Sequence, residues 1–259
     1  MVNTLNRHTD SYIMGKEQNL FKKILWFEKR LKFDIDFFDS LQAQRIVSEH
    51  PRYKSGTFYS EKCQREIQYE SGIELEFIKL LEQSKNVVFY WEQPVQIKYR
   101  RGRRNAIYTP DFGIYLKSKE FVLVEIKGLA NMCEHKVQMR IEALIKFCAC
   151  KGFGLLLTDG RNTFDKILKT KINRKLERRI LANVENDILR KTACNEILKG
   201  CDATQNELLK VILRHNLKYR SFPLKIQQGN KNELFRQVFV EKRKYEDVVA
   251  ESFAALFGK

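Results

Sequence analysis

Apolar and polar positions alternate most regularly in the middle of the chain, between residues 51 and 160. A loop or hairpin at 52–71 leads to Ser71, and Glu74 follows three residues later, which is the capping-box spacing that begins a helix. The apolar positions of this helix would form a buried face that packs against a sheet. They are Ile73, Phe77, Leu80 and Leu81.

Runs with the composition of β-strands follow this helix, and a second helix is predicted at about 133–150. The order of helix, strand meander, helix and strand predicts a mixed α/β layered domain over 51–160. The predicted strands are VVFYWE at 87–92, PVQIKYR at 94–100, AIYTPDFGIYL at 106–116, FVLVEIK at 121–127 and FGLLLTD at 153–159.

Residues 1–50 are predicted to form a helical N-terminal arm. Apolar side chains recur there at spacings of four and three, which places them on one face of a helix. Such a stripe needs a partner, so we expect the arm to pack on the following region. The stripe consists of Leu20, Ile24, Phe27 and Leu31.

Residues 161–259 are predicted to form a basic, mainly helical C-terminal domain. An amphipathic pattern at 204–219 begins with a cap residue, and the short strand candidates FPLKIQ and LFRQVFVEKRK come after it. Helices followed by a small β-ribbon fit a winged-helix DNA-binding module.

The charge of the chain narrows the class of partner. A net charge of +16 over 259 residues attracts polyanions, and a hydrophobic content of 43% excludes global disorder. No apolar run approaches the roughly 20 residues that span a bilayer, and the start of the chain lacks a signal-peptide core. We therefore expect a cytoplasmic protein that binds nucleic acid and keeps its six cysteines as free thiols.

The sequences TPDF at 109–112 and VEIK at 124–127 carry the candidate chemistry. If a three-residue loop at 117–119 joins their strands, Asp111 lies opposite Glu125 and Phe112 lies opposite Val124. The apolar residues then share one face and both carboxylates share the other, whereas a slip of one residue would break this match.

Two carboxylates this close repel each other unless one is protonated or a cation lies between them. Hard oxygen ligands favour Mg²⁺ or Mn²⁺, which activates water and stabilises charge on a phosphate. Lys127 lies two residues beyond Glu125 on the same face, and Glu74 is the candidate fourth member. Alternatively, Glu74 closes its helix cap, either in place of a role at the metal or in addition to one. Glu76 is the exposed alternative to it, and Glu70, which precedes the helix, is less favoured.

Two other interpretations compete with a metal site. A pair of carboxylates acting as acid and base, as in glycosidases, explains neither Lys127 nor the basic chain. Charged residues on one strand face are also commonly just solvated, and a D…ExK triplet often arises by chance. The position of this triplet on adjacent strands after a helix that carries a glutamate favours catalysis.

Five segments in order resemble the TnsA family, the endonuclease subunits of heteromeric, transposon-seven-like transposases. They run from FYSEKCQREIQYESGIELEFIKLLE through VVFYWEQPVQIKY, YTPDFGIYL and VEIKG to LLLTD, over about 52–160. The resemblance implies a restriction-endonuclease-like PD-(D/E)xK fold. It also implies that Glu74, Asp111, Glu125 and Lys127 are catalytic, the three carboxylates binding two Mg²⁺ ions. Some family members carry glutamine at the position of Glu125.

The same resemblance implies partners and a substrate. The family nicks the 5′ ends of the transposon in double-stranded DNA, while an integrase-type subunit cuts and joins the 3′ ends. An ATPase regulator contacts that complex. The ends of the chain show no residue-level match to the family, so the chemistry is carried over more directly than the partners are.

Two basic segments are candidate DNA contacts. One surrounds Gly102 in the turn before TPDF, and the other occupies 166–179, where seven basic residues accompany one acidic residue. The alternative interpretation of the first segment is a solvated turn, and that of the second is an ordinary charged helix face. The residues expected to contact DNA are Arg100, Arg101, Arg103, Arg104, Lys171, Arg174, Lys175 and Arg178.

Three functions therefore remain open. The chain is a transposase endonuclease subunit, a stand-alone nuclease of the same fold for restriction, phage defence or junction resolution, or a non-catalytic DNA-binding protein. A free-standing enzyme would cut DNA unaided with Mg²⁺, whereas a transposase subunit would need its partners. The intact set of Asp111, Glu125 and Lys127 argues against the non-catalytic alternative.

Overall fold

The computed structural model describes residues 20–33, 55–160, 162, 164–229 and 234–257. These residues divide into two compact units. The first falls within Met1–Ile126 and Ala143–Thr163, and the second within Lys127–Glu142 and Phe164–Lys259. Most of the predicted N-terminal arm, at 1–19 and 34–50, lies outside the described residues.

The described part of the chain alternates between helices and short strands, as the sequence predicts for its middle region. A π-helical turn at Arg236–Val240 precedes the last helix. The elements are β1 (Gly56–Ser60), β2 (Arg65–Tyr69), α1 (Gly72–Gln83), β3 (Val87–Glu92), β4 (Ile97–Arg101), β5 (Arg104–Tyr108), β6 (Phe112–Leu116), β7 (Phe121–Ile126), α2 (Leu129–Cys133), α3 (His135–Lys151), β8 (Gly154–Thr158), α4 (Phe164–Lys169), α5 (Arg174–Asn186), β9 (Leu189–Arg190), α6 (Lys191–Gly200), α7 (Gln205–Arg214), β10 (Lys218–Arg220), β11 (Lys225–Gln227) and α8 (Tyr245–Phe257).

The first unit is built on a mixed four-stranded sheet in the order β3-β6-β7-β8. The first three strands are antiparallel, and β8 is parallel to β7. Helix α1 packs on one face, where Phe77 and Ile78 share a core cluster with Phe112 and Val124. A mixed α/β architecture with a mixed sheet flanked by helices is therefore confirmed.

The hairpin β6–β7 has the predicted register. Phe112 pairs with Val124 and Tyr115 with Phe121, which is the pairing that a three-residue loop at 117–119 requires. The expectation that all apolar residues share one face is wrong, because the other face is also covered. There Phe121 packs edge-on against Phe153, with ring centroids 4.9 Å apart. The sheet is thus buried on both sides.

Proline divides the predicted strand 106–116 into β5 and β6. Pro110 has no N–H and cannot donate to a sheet ladder, so strand pairing resumes only at Phe112. Helix α1 begins as predicted, with the Glu74 N–H donating to Ser71 Oγ at 3.3 Å. Its buried face is centred on Phe77 and Ile78, so Ile73 in the first turn is 43% exposed rather than buried.

Residues 20–33 correct the predicted helical arm. Only Leu20 and Phe21 are helical, and Leu25 instead exchanges main-chain hydrogen bonds of 2.8 and 2.9 Å with Leu155 on β8. Strand β8 is an edge of the sheet, so its main-chain groups offer this pairing in place of a helix. The segment does pack on the first unit as expected, with Leu20 and Ile24 in its core cluster.

The second unit combines helices with a three-stranded antiparallel sheet in the order β10-β11-β9. The strand predicted in LFRQVFVEKRK is wrong, because residues 234–240 are helical. The cause is the contact of Phe235 and Phe239 with Phe164, at centroid distances of 5.4 Å each, which requires a helical spacing. No helix within the described residues is long and apolar enough to cross a membrane.

Candidate active site

Asp111 is hydrogen bonded to both main-chain neighbours of Glu125. Its N–H donates to the Val124 carbonyl at 3.1 Å, and its Oδ2 accepts from the Ile126 N–H at 2.7 Å. Regular ladder pairing ends at Phe112 and Val124, one step before the predicted pair of Asp111 and Glu125. The Asp111 carboxylate therefore accepts a hydrogen bond from the Ile126 N–H, a main-chain donor next to Glu125 that the strand ladder does not use.

Glu125 is the acidic residue in an otherwise apolar strand, and it is 0% exposed. Its strand neighbours Val124 and Ile126 belong to the core cluster under α1, and on β8 it pairs with Leu157. A buried carboxylate is costly unless a proton, hydrogen-bond donors or a cation compensates for its charge. Full burial of Glu125 argues against the competing interpretation, in which the charged residues of this strand face are merely solvated.

The first turn of α1 lies at the same end of the sheet as Glu125. Gly160 follows the end of β8, and a Cβ built on it would lie 2.3 Å from Ile73 Cγ2. The last residue of β8, Thr158, pairs with Ile126 of β7. The helical turn that carries Glu74 is therefore placed at the carboxyl ends of β7 and β8.

Within that turn, the Glu74 carboxylate closes its own helix cap. It accepts hydrogen bonds from the Glu70 N–H at 2.8 Å and from Ser71 Oγ at 2.9 Å. These bonds fit the alternative in which Glu74 closes its helix cap, but its carboxylate accepts from the N–H of Glu70 and not from that of the cap residue Ser71, so the reciprocal capping box is not formed. A role in catalysis would require this carboxylate to exchange its cap partners for another one.

Gln93 links this cap to Asp111, and the sequence did not single it out. Its main-chain N–H donates to the Asp111 carbonyl at 2.9 Å, and its side-chain amide donates to Glu70 Oε1 at 3.3 Å. Its φ of 48° is in the left-handed region, which is uncommon for residues other than glycine. The polar pair Glu92-Gln93 directly before a proline was the available signal.

The carboxylates do not form a closed cluster of three. Among the residues that the structure describes, no three acidic, histidine or cysteine side chains are gathered closely enough to hold a metal ion. Asp111 is fixed beside Glu125, and Glu74 is only placed at the same end of the sheet. Lys127 directly follows β7, is half-buried and begins the second unit.

The hairpin β4–β5 presents the first basic segment next to Asp111 in the chain. Arg100, Arg101, Arg103 and Arg104 are all exposed, and Gly102 turns the chain with a φ of 61°. Arg101 pairs with Arg104 across the ladder. Like charges directly opposite one another are destabilising, so an anionic partner bound beside Arg101 and Arg104 would reduce the repulsion between them.

Helix α5 presents the second basic segment. Its apolar side is buried through Leu176 and Ile180, while Arg174, Lys175 and Arg178 are exposed, as is Lys171 before the helix. The acidic residue of this run, Glu177, is half-buried and lies 2.7 Å from the ring nitrogen of His215. The exposed side of α5 is therefore basic, as predicted.

The candidate cation ligands at this end of the first unit are the carboxylates of Asp111 and Glu125, and the exposed arginines of β4–β5 are candidate contacts for an anionic polymer. No family model matches the sequence, and no curated protein matches it either. The donor chemistry of Asp111 and Glu125, two hard oxygen ligands held together by main-chain hydrogen bonds, fits Mg²⁺ or Mn²⁺.

Proposed function

We propose that this protein is a metal-dependent DNA endonuclease of the restriction-endonuclease-like PD-(D/E)xK type. In the proposal it hydrolyses phosphodiester bonds at transposon 5′ ends as the TnsA-type subunit of a heteromeric cut-and-paste transposase. The observation that carries the proposal is the attachment of Asp111 to both main-chain neighbours of the fully buried Glu125. Such a pair of carboxylates is stabilised by a divalent cation.

Asp111 and Glu125 would hold Mg²⁺ or Mn²⁺, and Glu74 would complete the ligand set by releasing its cap hydrogen bonds. When bound, the metal activates water and stabilises charge on the scissile phosphate, and the resemblance implies two such ions. Lys127, two residues beyond Glu125, would hold the attacking water or neutralise the phosphate. The Ile126 N–H keeps the Asp111 carboxylate oriented throughout, through its 2.7 Å hydrogen bond.

The two basic surfaces support DNA as the substrate. The arginines of β4–β5 would contact phosphates near the proposed cleavage site, because only Thr109 and Pro110 separate this hairpin from Asp111. We also propose that the second unit is a winged-helix module. Its order of helix, strand, two helices and a hairpin, over α5–β11, with β11 central in the sheet, is that of this module.

The partners proposed for the complex are an integrase-type transposase subunit and an ATPase regulator. They follow from the sequence resemblance over about 52–160. An endonuclease that acts only within such a complex would avoid cutting chromosomal DNA on its own. This dependence separates the proposal from that of a stand-alone nuclease.

A nicking assay on supercoiled plasmid that carries transposon-end DNA tests the proposal. We expect nicking at the 5′ ends with Mg²⁺ or Mn²⁺ when the partner proteins are present, and none with EDTA. Asp111→Asn and Glu125→Gln should each lower the rate by about 100-fold or more, because several kcal/mol of metal catalysis is removed. Both variants should still retard DNA in a gel.

Glu120→Gln is the matched control, since Glu120 is a buried carboxylate at the opposite end of the same β6–β7 hairpin. It should nick at the wild-type rate. Normal nicking by Asp111→Asn would disprove the site. Efficient nicking without any partner would instead identify a stand-alone nuclease, and DNA binding without nicking under any condition would favour the non-catalytic alternative.

A further inference from the structure

The hairpin β10–β11 exposes a single aromatic ring at its tip. Tyr219 and Ile226 pair across its base and are buried, which anchors the hairpin in the second unit. Phe222 in the turn is 87% exposed, the highest value among the large hydrophobic side chains that the structure describes. A single exposed ring does not by itself indicate a partner, so the inference depends on how the turn holds this ring and on the charges beside it.

The turn that carries Phe222 is held by specific hydrogen bonds. Arg220 Nε donates to the Phe222 carbonyl at 2.9 Å, and the Ser221 N–H donates to Glu134 Oε1 at 2.9 Å. Glu134 is itself buried and forms a main-chain bridge with Tyr219. The ring is therefore presented by a braced turn, so little conformational entropy is given up when a partner covers it.

The charges around the ring indicate that its partner is anionic. Lys218, Arg220 and Lys225 lie on the two strands, and residues 217–229 contain no acidic residue. The nearby carboxylate of Glu134 is engaged with the Ser221 N–H. An apolar ring between cationic side chains fits a polymer in which stacked apolar surfaces alternate with phosphates, which is the arrangement of duplex DNA.

The helix that would otherwise read DNA in a winged-helix module is covered by the chain itself. In α7, Leu208, Leu209, Val211, Ile212 and Leu213 are buried, and the Cys133 thiol at the end of α2 donates to the Leu209 carbonyl at 3.3 Å. Helix α2 therefore packs where a DNA groove would have to lie for α7 to enter it. The hairpin tip and the basic side of α5 are two exposed cationic surfaces among the described residues of this unit.

We propose that the tip of β10–β11 inserts Phe222 as a wedge between stacked base pairs from the minor groove of duplex DNA. Lys218, Arg220 and Lys225 contact the phosphates on either side. The inference rests on the proposed DNA substrate and adds a defined contact that bends or unstacks the duplex at one step. Apolar side chains inserted in this way kink DNA at flexible steps.

The test uses the full chain and a duplex that carries the transposon end, with the fluorescent base 2-aminopurine placed at successive positions. Wild-type protein should raise the fluorescence at one base step, because the probe brightens when it unstacks. Phe222→Ala should abolish this rise and weaken binding by roughly 5- to 100-fold, the range for removing one aromatic ring that stacks on a base. Phe222→Trp should keep both.

Salt dependence separates the wedge from a phosphate contact. Phe222→Ala should leave the slope of binding affinity against salt unchanged, whereas Lys225→Ala should reduce it by about 0.9. Tyr59→Ala is the control, since Tyr59 is a 53% exposed ring on the hairpin β1–β2, whose charges are mixed. It should bind and unstack DNA like the wild type.

The inference is wrong if wild-type protein raises no fluorescence at any position, or if Phe222→Ala binds and unstacks DNA normally. If Phe222→Ala loses binding to anionic phosphatidylserine vesicles but still binds DNA normally, the ring belongs to a membrane-binding surface. This result would also overturn the inference. Unstacking without nicking, even with Mg²⁺ and the partner proteins present, would disprove the endonuclease but keep the wedge. Nicking that is indifferent to Phe222 would disprove only the wedge.

Discussion

The Asp111 carboxylate accepts a 2.7 Å hydrogen bond from the main-chain N–H of Ile126. This bond fixes a side chain from the loop before β6 beside the last residues of β7. The bond forms where Pro110 interrupts strand pairing. This interruption leaves the Ile126 N–H unused by the strand ladder and places the Asp111 carboxylate next to it. Because Glu125 directly precedes Ile126, the two acidic residues are held together by the main chain rather than by side-chain packing alone.

Gly160 is required for the contact between the β8 loop and the first turn of α1. Its φ of 84° disfavours other residues, and an added Cβ would lie 2.3 Å from Ile73 Cγ2. Gly160→Ala should lower the free energy of unfolding by about 1–3 kcal/mol and slow nicking, because the turn that carries Glu74 must shift. Urea denaturation and the nicking assay measure the two effects.

Gly72→Ala is the control for that substitution, since no atom beyond its chain neighbours and its own helical backbone lies within 4 Å of its added Cβ. It should change stability by no more than about 0.5 kcal/mol. Equal stability of the two alanine variants would show that the loop and the helix do not meet as described.

The arginines of the hairpin β4–β5 should contribute to DNA binding by neutralising phosphates. Replacing Arg100, Arg101, Arg103 and Arg104 by glutamine should reduce the slope of log affinity against log salt by about 0.9 for each phosphate that is no longer neutralised. Anisotropy titrations at several salt concentrations measure this slope. An unchanged slope would mean that the turn is merely solvated.

The same substitution on Lys171, Arg174, Lys175 and Arg178 tests the second basic surface. Removal of these four charges should lower the slope without slowing nicking of bound DNA, since no proposed catalytic group is changed. If this variant binds DNA normally at every salt concentration, the basic side of α5 is an ordinary charged helix face that does not contact DNA.

The ion pair of Arg30 with Glu120 should make stability depend on acidity. Burial acts to raise the pKa of Glu120, but hydrogen bonds from Arg30 and Ser118 outweigh it and lower the pKa below its ordinary value. The charged carboxylate therefore stabilises the fold above its unfolded pKa, and this contribution is lost as pH falls through the folded pKa.

Glu120→Gln should accordingly be less stable than the wild type at neutral pH and nearly equal to it in acid. The expected decrease at neutral pH is about 2–4 °C in melting temperature. Melting curves recorded from neutral to acidic pH measure the difference. A constant difference at all pH values would show that Arg30 and Glu120 are not paired.

Cysteine reactivity tests the packing of helix α3. Cys150 is exposed, whereas Cys133 and Cys148 are buried, and burial raises the pKa of both thiols. Burial also raises the pKa of Cys194 to about 11. A thiol reagent at neutral pH should modify one cysteine rapidly in the native protein, and Cys150→Ser should remove that phase. Rapid modification of Cys148 would contradict the described core.

The register of β6–β7 was predictable because it depends on local information. Alternation at Phe112 and Val124 and the loop at 117–119 determine which residues pair, and the structure agrees. The surroundings of that hairpin were not predictable in the same way. Coverage of its second face depends on rings such as Phe153, and the pairing of Leu25 with Leu155 joins segments far apart in sequence.

The candidate site was likewise predictable only in part. The resemblance and the strand pattern identified Asp111 and Glu125, and the structure places Asp111 against the neighbours of Glu125. Sequence alone did not show that Glu74 binds its own cap, because a glutamate at that position is equally suited to close a helix cap and to bind a metal. Gln93 was missed because its importance depends on a main-chain hydrogen bond to Asp111.

Binding of Mn²⁺, followed by the electron paramagnetic resonance signal of the free ion, tests most directly whether Asp111 and Glu125 share a cation. The wild type should remove Mn²⁺ from solution with saturable stoichiometry, and Glu120→Gln should do the same. Asp111→Asn and Glu125→Gln, each folded by circular dichroism, should bind at least about tenfold more weakly, a decrease of about 1.4 kcal/mol. Equal Mn²⁺ binding by the wild type and both site variants would contradict the metal centre.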